Sequence, residues 1–98
     1  MTLAEFKKEI LNCISICERE IHDRKKGIEG ESSLVQLEQT ILPELKQLLQ
    51  NVENDTISST ERYLLSFANA FTVWGWDIQR PGELFICLSK LNNHYKTI

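Results

Sequence analysis

The chain lacks long apolar runs, alternating apolar–polar stretches and a cysteine framework. Its longest unbroken apolar stretch is Leu84-Phe-Ile-Cys-Leu88, far short of the roughly 20 residues a membrane-spanning helix needs. The segment Met1-Thr-Leu-Ala-Glu-Phe-Lys-Lys-Glu9 has charges where a secretory leader would have its apolar core, so no leader is expected. No alternating run of any length is present, which argues against strands. Three cysteines cannot all pair, and their spacing matches no framework. The expectation is a cytoplasmic protein with reduced thiols.

The usual signatures of catalysis are absent too. There is no Gly-flanked serine elbow, and His22 and His94 are expected near helix ends as solvated last-turn residues that complement the helix dipole. Gly27-Ile-Glu-Gly30 lacks the Lys-Ser/Thr that lets a glycine loop hold phosphate and metal. Cys13 and Cys17, with Cys87 and a histidine, could in principle ligate zinc. However, both lie on an apolar helical stripe where cysteine acts as a small buried hydrophobe, and no second close-spaced ligand pair follows. No enzyme activity, metal or cofactor is expected. Nucleic-acid binding would rest on Arg24-Lys-Lys26 alone, flanked by Asp23, Glu29 and Glu31, and this cluster reads as a solvated loop.

What is present is an ordinary globular composition, 42% hydrophobic and 26% charged, in one domain over residues 1–98. Helix-opening signals recur: Thr2 with Glu5, Ser33 with Gln36 and Ser58 with Glu61 are capping boxes. Behind the first, Leu3, Phe6, Ile10, Cys13, Ile14, Cys17 and Ile21 share one helical face, predicting a helix to about residue 22 or 23. Behind the second, Leu34, Leu37, Ile41, Leu45, Leu48, Leu49 and Val52 do the same. Pro43 interrupts that helix and predicts a bend just before it, which would turn Glu38 outward. Behind the third, residues 59–74 are apolar almost all round, which predicts a central helix packed on most sides and closed at Gly75. A last helix opens near Pro81, with Leu84, Leu88, Leu91 and Tyr95 inward and Phe85 and Cys87 beside them. The fold class expected is all-α, an antiparallel four-helix bundle.

Trp74 continues the stripe Tyr63, Phe67, Phe71 and is expected in the core. Trp76 follows the helix end and is expected to be exposed as an interface anchor. Ile16 and Ile86 fall on otherwise polar faces and are candidate contact residues. Charge is uneven: residues 29–61 carry seven acidic side chains and one lysine, whereas 1–28 and 62–98 are each slightly basic. A charge run is most often a solvated face, but an acidic segment also suits a basic partner and disfavours phosphate backbones.

The acidic stretch Glu29–Glu61, the aromatic turn Trp74-Gly-Trp-Asp77 and the four-helix length resemble small helical bacterial immunity proteins, such as those that neutralise colicin or contact-dependent growth-inhibition toxins. The resemblance implies a cytoplasmic inhibitor of a basic toxin domain, a nuclease for example, and no membrane or nucleic-acid partner. Glu29, Glu31, Glu38, Glu44, Glu53 and Asp55 would then supply electrostatic steering, and Trp76 a desolvated anchor. The alternative is a helical scaffold or regulatory subunit that dimerises or docks through Ile16, Ile86 and Trp76.

Overall fold

The first helix, α1 (Leu3–Lys25), starts where a purely local signal places it. Thr2 Oγ1 accepts from the Glu5 amide at 3.1 Å, and the Thr2 amide donates to Glu5 Oε1 at 3.2 Å. The Thr2 amide and the Thr2 hydroxyl, which donates to the same Glu5 Oε1 at 3.0 Å, hold the exposed Glu5 carboxyl below its ordinary range. The cap's contribution is therefore present above that range and is lost as pH falls through the lowered value. In this computed structural model, which describes residues 1–57 and 62–98, α1 carries the fully buried Phe6, Ile10, Cys13 and Cys17.

The second helix, α2, runs without interruption over residues 34–53 in three parts: an α-helical Leu34–Gln36, a π-helical Leu37–Ile41 and an α-helical Leu42–Glu53. Ser33 and Gln36 close the expected capping box. The π-helical stretch ends two residues before Pro43. Proline has no N–H to return to the carbonyl four residues back, and the wider turn is marked by Leu42 N donating to Leu37 O. Leu37, Ile41, Leu45 and Leu48 stay buried through this change of pitch, while Glu38 is exposed.

The third helix, α3 (Leu65–Thr72), is half the length expected. The Ser58–Glu61 capping box lies outside the described residues. Residues 62–64 are not helical, and Glu44, on α2, does the capping instead. Its two oxygens accept from the amides of Leu65 at 2.7 Å and Ser66 at 2.8 Å, placing a carboxylate at the positive end of the helix. The preceding turn is fixed by the buried Asn92, whose Oδ1 accepts from Leu64 N at 2.8 Å. Replacing Glu44 with alanine is expected to cost about 1–2 kcal/mol, as for loss of a helix cap, and to speed amide exchange in α3 selectively. Urea unfolding and hydrogen exchange read both effects.

The expectation that this helix is the packed centre is overturned. Tyr63 is 54% exposed and Phe71 53%, so α3 buries one face only, through Ser66 and Ala70. The centre is α1, which packs against both α2 and the last helix, α4 (Glu83–Tyr95). A helix with neighbours on two sides buries two stripes, and that is why Ile16, expected on a polar face, is buried.

Of the two tryptophans, Trp74 is partly buried against the core, but Trp76 is not where it was expected. Gly75 takes φ +67°, a conformation glycine adopts at no steric cost, and Trp76 N then donates to Ala70 O at 3.0 Å. The chain folds back on itself. Trp76 is only 5% exposed, edge-on to Phe85 at a centroid distance of 5.7 Å, while Trp74 is partly buried against it at 5.6 Å. Trp76 is therefore not an exposed anchor.

Cys13 and Cys87 form a disulfide between α1 and α4, so the expectation of reduced thiols is also corrected. Seventy-four positions of sequence separate the two; only the pairing of the helices brings them together, with Cα atoms 5.9 Å apart. The described residues form four helices and no strand, and none of these helices is long and apolar enough to cross a membrane.

Candidate functional site

The six acidic residues singled out in the sequence do not form one face. Glu44 is consumed by α3. Glu53 pairs with Lys7 at 3.7 Å near the start of α1, and Glu38 with Lys25 at 3.4 Å near its end. Both pairs are well exposed and contribute little. Asp55 is exposed in a turn at φ +54°. Glu29 and Glu31 are brought together, and with them Trp76, around a cleft of about 290 Å³.

That cleft is built from the end of α1. Helix α1 closes at Gly27, with φ +83°, and the chain turns back over Arg24. The Arg24 side chain is 10% exposed and pairs with Glu20 Oε2 at 2.6 Å. Its Nε donates to Ser32 O at 2.7 Å, and Nη2 to Ser32 Oγ at 3.3 Å. One guanidinium thus holds the whole loop. A Cβ at Gly30 would come within 1.9 Å of Arg24 Nη2, so a larger residue there would have to displace the guanidinium from its partners. Arg24 is therefore a structural hub, not part of a solvated basic cluster.

The other wall is the segment after Gly75. Glu31 Oε2 accepts from Asp77 N at 2.5 Å, and Asp77 Oδ1 accepts from Gln79 N and Arg80 N at 2.9 and 3.1 Å. Glu83, paired with Arg19, completes the rim at the start of α4. The lining thus holds five carboxylates, those of Glu20, Asp23, Glu29, Glu31 and Glu83, and one guanidinium. Glu20, Asp23, Arg24 and Glu83 were not among the candidate residues. The four-residue spacing of Glu20 and Arg24 on a helix is a signal that could have found those two; Asp23 and Glu83 carry none.

A second surface is apolar. A groove of about 340 Å³ is lined by Phe67, Phe71, Ile78, Pro81, Phe85 and Ile86, together with Ser89 and Lys90. Val73, nearby in sequence, is 71% exposed. Of the three residues expected to serve a docking scaffold, only Ile86 is exposed; Ile16 and Trp76 are in the core.

Two further reactive groups, His94 and Cys17, are tied up or silent. His94 Nδ1 lies 2.7 and 2.9 Å from the two oxygens of Glu9, linking α4 to α1. Burial, with a smaller effect from Glu18 and Glu20, pushes the Cys17 thiol up to about 12, so it stays protonated at neutral pH and is a poor nucleophile. Among the described residues no three Asp, Glu, His or Cys side chains converge closely enough to hold a metal ion.

Comparison with known proteins returns nothing: no family model, no curated protein and no solved structure matches the chain.

Proposed function

We propose that the protein is a small non-catalytic binding protein, an inhibitor of the immunity type that neutralises a basic bacterial toxin domain such as a nuclease. The observation that carries this reading is the acidic cleft. Of the five carboxylates that line it, Glu20 pairs with Arg24 and Glu83 with Arg19, which leaves Asp23, Glu29 and Glu31 in excess. Such a field draws in a basic partner and repels acidic ones. Glu29 and Glu31 are the centre of the contact, with Glu38 at its margin. Glu53 and Asp55 contribute long-range steering only, and Glu44 supports α3 from inside the fold. The helices are read as an antiparallel four-helix bundle whose second member bends at the π-helical stretch before Pro43.

The cytoplasm is the compartment the resemblance implies. The Cys13–Cys87 bridge favours an oxidising compartment instead, and alkylation of the protein in acid-quenched cells decides between them. The apolar groove supports a second reading, a scaffold that associates through Phe71, Ile78 and Ile86.

Co-expression with the product of the neighbouring reading frame tests the first reading. Protection of the cells and a complex that Glu29→Lys/Glu31→Lys disrupts are expected. Neither protection nor a complex would contradict it. Self-association that persists in high salt and rises with concentration would favour the scaffold.

A further inference from the structure

The two sulfurs of the Cys13–Cys87 bridge meet different surroundings. Cys13, on α1, is 0% exposed. Cys87, on α4, is partly exposed and lines a surface cavity of about 180 Å³ with Asn12, Ile16, Glu83, Ile86 and Lys90. Its Sγ accepts from Asn12 Nδ2 at 3.6 Å, which sets the sulfur against a wall of that cavity. Glu83 is paired with Arg19. The exposed Lys90, about one helical turn beyond Cys87, makes no ion pair with a described residue. One reachable sulfur, a hydrogen-bond donor to it and an uncompensated positive charge therefore share one cavity.

We propose that Cys87 is an S-thiolation site, the sulfur through which the bridge opens and closes, and that it takes an anionic low-molecular-weight thiol of the glutathione class. Exchange at a disulfide begins with thiolate attack on a sulfur that can be reached, and it passes through a mixed disulfide. The incoming thiolate bonds to Cys87 Sγ, the bond between Cys87 and Cys13 breaks, and its electron pair leaves on Cys13, which takes up a proton. A second thiolate then attacks the outer sulfur of the mixed disulfide. The small-molecule disulfide departs, and Cys87 is left as a thiolate stabilised by the Asn12 amide and the Lys90 charge. Closure is the reverse: the Cys87 thiolate attacks the small-molecule disulfide, and the Cys13 thiolate then displaces the small thiol. Lys90 draws the carboxylates of the incoming thiol toward the cavity and disfavours a cationic thiol. None of this depends on what the acidic cleft binds.

Reduction of the bridged protein by glutathione and by the cationic thiol cysteamine, at equal thiolate concentration and low ionic strength, tests the selection. Lys90→Glu, a surface change that leaves the bridge in place, is expected to slow the glutathione reaction about fivefold and to speed the cysteamine reaction, and high salt should abolish both effects. The point of entry is read by treating Cys13→Ala and Cys87→Ala with glutathione disulfide and mapping the adducts by mass spectrometry. Cys87 in the first variant should be modified about tenfold faster than Cys13 in the second. Should loss of the bridge unfold these variants, the buried Cys17 reacts as well. Entry is then read on the bridged protein, from the sulfur that carries glutathione when its reduction is quenched with acid. Glutathione on Cys13, or on both sulfurs equally, overturns the proposal, and so do rates that Lys90→Glu leaves unchanged.

Discussion

Reduction of the Cys13–Cys87 bridge is expected to remove about 4 kcal/mol of folding stability, the loop-closure value for a segment of this length. The bridge closes a loop of 74 positions, so it restricts the unfolded chain over most of its length. For a domain of this size the loss corresponds to a fall in Tm on the order of 20 °C. Thermal and urea unfolding with and without a thiol reductant measure it, and Cys87→Ser should reproduce the reduced protein. Cys13 is fully buried and Cys87 partly so. The serine change therefore leaves the Cys13 thiol as a small apolar group in the core, and the effect is mostly that of the lost link. Equal stability in both redox states would mean that α1 and α4 are held by packing alone.

The second large effect separates two rings of the same kind. Phe6→Ala should cost about 3–5 kcal/mol, whereas Phe71→Ala should cost less than about 1 kcal/mol. Phe6 is fully buried on α1, its ring 5.7 Å from that of Tyr95, and its removal leaves a cavity that neighbours on two helices cannot fill. Phe71 is half exposed on α3, its ring centroid 6.3 Å from that of Phe67. Denaturant midpoints of the two variants measure the difference. The reverse order would restore residues 59–74 as the centre of the fold.

That contrast also shows where sequence reasoning succeeded. The boxes at Thr2 and Ser33 are local, since each depends on residues three apart, and both form as read. The stripes of α1 and α2 were legible for the same reason: Phe6, Ile10, Leu37, Ile41 and Leu45 need only helical periodicity to be recognised as core. The misreadings are tertiary. Nothing local to Leu65 announces that Glu44 will cap its helix. Ile16 is buried because α1 has neighbours on two sides, which its own periodicity cannot reveal. Trp76 is buried because Gly75 reverses the chain; the glycine was read as a helix stop, but the direction taken after it was not. Cys13 and Cys87 meet only once the helices are paired.

The site was legible in part. Glu29, Glu31 and Trp76 do share one cleft, although Trp76 is buried there and not an exposed ring. Arg24 was grouped with Lys25 and Lys26 by composition, while its partners Glu20 and Ser32 hold it in the lining of an acidic cleft. Among the other acidic residues, Glu44 shows why a count of charges along a chain does not locate a surface. Its carboxylate is directed at two amides of the same molecule.

The most direct measurement is the association rate with the basic partner recovered by co-expression, followed by stopped flow as ionic strength rises. Raising salt from about 0.1 M to 1 M shortens the Debye length from about 10 Å to about 3 Å. Docking through the acidic cleft predicts a rate that falls at least tenfold over that range and is already low at low salt in Glu29→Lys/Glu31→Lys. A rate indifferent to salt and to those two changes, but lost on replacing Phe71 and Ile86, would move the binding site to the apolar groove and contradict the account.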